Sequence, residues 1–127
     1  MRRHLAVLFL LSSLACSSAS QGPASTGSRD LLTADEIMAS DAKLGTTYDV
    51  ISRLRPDFLR MRGRMMLNAE ATLISVRVNN SPLGTGIEGL REIPANTVLS
   101  IAHYNPVDAQ QKFGLNNLAG LIDVKLK

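Results

Sequence analysis

The chain has no tryptophan, a single cysteine and, among 127 residues, only three Phe and two Tyr. One cysteine cannot close a disulfide within the chain, and no paired-Cys or H-E-x-x-H spacing is present to hold zinc. So few aromatics force an aliphatic core and leave no stacking platform for single-stranded nucleic acid. His103 is the only histidine beyond the leader. Lying between Ala102 and Tyr104, it reads as a packed or surface side chain rather than a catalyst. Asp and Glu are scattered, with no spacing that fixes two carboxylates on one rigid face. Gly84, Gly86 and Gly89 lack the Lys-Ser/Thr of a phosphate loop. Met65-Met66 read as adaptable packing, with soft copper as the alternative. No enzyme activity, cofactor or metal is therefore expected.

What is present starts at the N-terminus. Arg2 and Arg3 precede an apolar run from Leu5 to Leu11, too short to span a bilayer, and then small residues lead to Cys16. Residues 1–15 are expected to be a signal peptide. The Ser13-Leu14-Ala15-Cys16 stretch resembles the lipobox of bacterial lipoproteins, which implies an acylated Cys16 and a membrane anchor. Ser17 rather than Asp after the cysteine implies the outer membrane of a Gram-negative envelope. Cleavage at Ser17-Ser18-Ala19, giving a secreted protein without an anchor, is the alternative. Residues 16–28 are rich in Ser, Ala, Gly and Thr and suit a flexible tether. Removing residues 1–15 leaves 12 basic and 11 acidic residues, a net charge of +1. Bulk charge thus offers nothing to nucleic acid.

Residues 29–127 suit one domain. Thr33-Ala-Asp-Glu36 has capping-box spacing, and Thr46-Thr47 with Asp49 marks a second helix start. Val50, Ile51 and Leu54 form that helix's apolar stripe, and Pro56 ends it. The segment Thr72 to Val78 alternates as a strand, with Ile74, Val76 and Val78 on the covered side. Asn79-Asn80-Ser81-Pro82 reads as a turn. Val98 to Tyr104 is a strand, Pro106 to Phe113 a helix capped by Gly114, and Leu121 to Lys127 a last strand. In that last strand Asp123, Lys125 and Lys127 are expected on a wet face. The expected fold is α+β: a mixed sheet of about four strands, one of them at Leu31, with short helices on one face.

The order of motifs resembles the plug domain of TonB-dependent outer-membrane receptors. Its carriers are Leu32-Thr33-Ala-Asp-Glu36-Ile37, the helix ending in Arg55-Pro56, a strand and Asn79-Asn80 turn, Ile93-Pro94 before a strand, Phe113-Gly114, and Ala119-Gly120-Leu-Ile122. Asn79-Asn80 stands where the family has an Asp-Gly turn, Phe113 where it has Tyr, and Ala119 where it has a first Gly. No barrel of roughly 22 strands follows. The resemblance therefore implies a plug-like fold, and transport only beside a separate barrel protein.

Loops on a rigid sheet are where recognition sits. The expected partner contacts are the 79–87 loop, with Asn79 and Asn80, and the 105–120 segment, with Asn116 and Asn117, facing an outer-membrane barrel or other envelope protein. Arg55, Arg60, Arg62 and Arg64 form an expected anion or lipid contact, with a plain connector as the alternative. The expected function is a non-enzymatic binding or accessory module for envelope transport. A small envelope enzyme or an unanchored ligand-binding protein is the other reading.

Overall fold

Two threonines set the helical layer. In the computed structural model, which describes residues 28–60, 73–84 and 86–127, each caps a short helix. Strand β1 (Leu31–Thr33) runs into helix α1 (Ala34–Ala39), where Thr33 Oγ1 accepts the Glu36 N–H and Glu36 reaches back to the Thr33 N–H. Helix α2 (Thr47–Leu54) repeats the device with Thr46 and Asp49. It ends at Arg55, held at φ −144° and ψ 65° before Pro56, as the clash with a proline ring requires. The expected signal peptide, most of the expected tether, Arg62, Arg64, Met65-Met66 and Thr72 lie outside the described residues.

The Asp49 carboxylate is held below its ordinary pKa of 3.8 by hydrogen bonds from the Thr46 N–H and hydroxyl, both 2.8 Å, with Arg91 and Arg53 adding to the effect. A lowered folded-state pKa stabilises the fold fully above the unfolded value, and that contribution disappears as pH falls through the folded value. An Asp49→Asn variant should therefore show a shallower fall in thermal midpoint below about pH 4 than the parent chain, measured by circular dichroism. Identical acid branches would remove Asp49 from the account.

Five strands form one sheet in the order β1-β4-β5-β2-β3. Strands β2 (Ser75–Val78) and β3 (Ser81–Leu83) make an antiparallel hairpin, β4 (Val98–Tyr104) and β5 (Leu121–Leu126) pair antiparallel, and β5 runs parallel to β2. Sequence periodicity accounts for about four strands. The fifth, β3, sits where a turn was expected, because the turn needs only Asn79 and Asn80, at φ 48° and 71°. Positive φ at both central residues makes the tight hairpin turn that matches strand twist.

One sheet face carries the core. Leu32, Val76, Ile101, Ile122 and Val124, with Ile74, pack against Ile37, Val50, Ile51 and Leu90 from the helical layer. Ile74, Val76, Ile101, Ile122 and Val124 thus share one core. On the opposite face lies helix α3 (Pro106–Phe113), capped by Asn105, with Ala109 fully buried and Phe113 edge-on to Tyr104 at 5.1 Å. This second layer corrects the expected pattern of β5. Asp123 is buried rather than wet, because β5 is flanked on both sides and Asp123 lies between Ala102 and Arg77 of its neighbours.

Among the described strand residues, neither sheet edge offers a free N–H. The Ser75 and Asn79 N–H groups donate to β5, so Val76 and Val78 bond β3, and Pro82 faces the open side without a donor. At the other edge the outward N–H groups of Leu31 and Thr33 donate to Ser28 O (2.9 Å) and Glu36 Oε2 (3.1 Å). An added strand would find no N–H donor on the outer side of β1 or β3, which disfavours pairing at either edge.

Candidate binding groove

A groove of about 560 Å³ opens where the β2–β3 hairpin meets the end of α3 and the loop into β5. Leu73, Leu83, Phe113 and Leu121 are among its lining side chains, beside the polar Ser75, Asn116 and Asn117. The size lies within the range of small-molecule sites. Among the described residues, Arg77 is the only charged one that lines it. Its guanidinium lies over the Phe113 ring, 4.9 Å from the centroid, and Nη2 donates to the Asn80 carbonyl. The groove floor is fixed by Asn117, which is 8% exposed and donates from Nδ2 to Gly114 O at 2.9 Å.

Of the residues expected to meet a partner, Asn116 and Asn117 line this groove. Asn79 and Asn80 occupy the hairpin turn, with Asn79 Oδ1 accepting the Leu126 N–H at 2.9 Å and Asn80 Oδ1 accepting Lys125 Nζ. Their side chains hold the hairpin against β5. Phe113 falls within the expected 105–120 contact segment, whereas Arg77 was not among the expected site residues. The available signal was an outward-facing arginine in a strand, one residue from the Val78 that closes the turn.

The arginine segment divides. Arg55 donates from Nη2 to Glu36 Oε1 at 3.1 Å and from Nη1 to Leu54 O, with both members of the ion pair about one-quarter exposed. It ties the end of α2 to the cap of α1. Arg60 is 73% exposed and sits 3.4 Å from Asp57, a surface pair worth little. Arg62, Arg64 and Cys16 lie outside the described residues. His103 is packed: its ring stacks on Phe58 at 4.7 Å, and Nδ1 lies 3.7 Å from Asp30 Oδ1. Among the described residues no group of three or more His, Cys, Asp or Glu is placed to hold a metal ion.

Comparison with protein-family models, with curated proteins and with solved structures finds no match to this chain.

Proposed function

We propose that this chain is a lipid-anchored, non-enzymatic binding or accessory module of the bacterial outer membrane, with a plug-like domain that works beside a barrel or another envelope protein. The observation that carries the reading is the groove. It gathers Arg77, Phe113, Asn116 and Asn117 at one end of a sheet whose described edge strands offer no free N–H to a further strand. Recognition then falls to side chains and loops rather than to backbone pairing. The anchor follows from the basic, apolar and small-residue order before Cys16. Two or more acyl chains, at about 0.8 kcal/mol per buried methylene, hold a protein on a membrane where one chain binds reversibly. His103 stacks on Phe58 and lies beside Asp30, near the start of the domain.

Two measurements test this. Cys16→Ser should abolish incorporation of labelled palmitate and move the protein from the membrane to the soluble fraction. Retention on the membrane would refute the anchor. A photo-crosslinking residue at Asn116 should join the lipidated protein to one envelope protein in its own membranes, and the adduct should vanish with Leu83→Asp. An adduct formed equally from the exposed Lys43 on the helical layer, or one indifferent to Leu83→Asp, would refute the groove as the contact.

A further inference from the structure

We infer that the groove between the β2–β3 hairpin and the α3–β5 loop binds an amphipathic carboxylate, an acyl chain ending in a single anionic group, with Arg77 receiving the carboxylate. This rests on the binding-module reading and gives it a ligand class.

Charge supports the assignment. Arg77 makes no ion pair among the described residues, and its Nε is buried without a hydrogen-bond acceptor. The one carboxylate beside it, Asp123 on β5, has Oδ2 3.7 Å from Lys125 Nζ, and its Oδ1 is unpartnered. Asp123 is thus engaged by Lys125, and among the described residues no carboxylate pairs with the Arg77 guanidinium. Stacking on Phe113 and the bond to the Asn80 carbonyl hold the guanidinium in place before a ligand arrives, so little ordering cost falls on binding. A guanidinium fork matches a carboxylate in two parallel hydrogen bonds. The rest of the lining suits an apolar tail: Leu73 and Leu83 supply walls, and Asn116 supplies an amide.

The same geometry selects an acyl chain over a peptide. A peptide laid along this wall would gain no N–H donor from Pro82 on the open edge of β3. An acyl chain needs none.

The test uses the full chain carrying Cys16→Ser, kept free of detergent, and sodium dodecanoate below its micelle concentration. Calorimetry should show saturable binding, and amide and guanidinium resonances of Arg77, Asn116 and Asn117 should shift together. Dodecanol, which keeps the tail and lacks the charge, should bind about ten- to a hundredfold more weakly, the value of a charge-assisted hydrogen bond. Arg77→Gln should give a similar loss with an unchanged thermal midpoint, and Arg77→Lys should restore part of it. Should Arg77→Gln unfold the domain, the dodecanol comparison decides the matter in the unaltered chain. Equal binding of dodecanol and dodecanoate, shifts confined to other surfaces, or tighter binding of an acetylated Leu-rich peptide with a free carboxyl terminus would overturn the assignment. If dodecanoate fails while the Asn116 crosslink survives, the ligand class is wrong and the binding module stands.

Discussion

Replacing Ile122 with Ala should destabilise the domain by about 2–5 kcal/mol, the cost of emptying a well-packed core site. Ile122 is fully buried in the middle of β5, opposite Val76 on one side and His103 on the other, and belongs to the cluster that joins the sheet to α1 and α2. The neighbours on both strands are held by backbone ladders, so they cannot collapse into the space left behind. For a domain of this size each kcal/mol lowers the thermal midpoint by about 4–8 °C, which places the expected fall on the order of 10–30 °C. That is a large share of the roughly 5–15 kcal/mol available to a small domain. Thermal unfolding followed by circular dichroism measures it, since no tryptophan is present to report. Leu99→Ala is the control: Leu99 is 51% exposed on β4, and its loss should stay within about 0.5 kcal/mol. Equal effects at the two positions would mean that the face bearing Ile122 is not the core.

The periodic and capping signals that place Ile122 in the core were legible because they are local. Thr33 with Glu36, Thr46 with Asp49, and Asn105 before Pro106 all satisfy backbone groups within a few residues, and the structure keeps each of them. Strand β3 was illegible for the complementary reason. It is three residues long, contains Pro82, and exists only because β2 lies beside it. Asp123 was misplaced because alternation gives the side of a strand and says nothing of what lies over that side. Its burial depends on Arg77 and Ala102 from distant parts of the chain.

The groove shows the same division. Asn116 and Asn117 were accessible to sequence reasoning as loop residues after a helix cap. Arg77 and Phe113 are 36 positions apart, and their stacking follows from a parallel β2–β5 pairing that no local pattern encodes. The Asn79-Asn80 turn was legible as a turn, yet its side chains are engaged with Leu126 and Lys125, a long-range use that only the folded sheet defines.

Gly120→Ala should be the more damaging of two glycine substitutions that share one backbone angle. Gly114 and Gly120 both have φ of 101°, a value that side chains rarely adopt. At Gly114, with ψ of 167°, an added Cβ meets nothing within 4 Å, so Gly114→Ala reports backbone strain alone, about 1–3 kcal/mol. At Gly120 the same Cβ would lie 2.9 Å from the carbonyl oxygen of Tyr104. That oxygen belongs to the backbone at the end of β4, where Tyr104 pairs with Leu121, so it cannot swing aside as a flexible side chain would. Relief requires β5 to move off β4 at its first residue, which also weakens the bond that the Ser75 N–H donates to the Gly120 carbonyl. The expected cost is the strain term plus the clash, about 3–5 kcal/mol in all, near the upper end for a single substitution. The difference between the two variants in urea unfolding isolates the close approach from the shared φ. The groove should respond in step: Gly120→Ala is expected to perturb the Asn117 and Leu121 resonances at its floor. Gly114→Ala, in the exposed loop, should leave those of Leu121 in place. Equal destabilisation by the two would show that β5 tolerates the shift and that the contact with Tyr104 is not what demands glycine there.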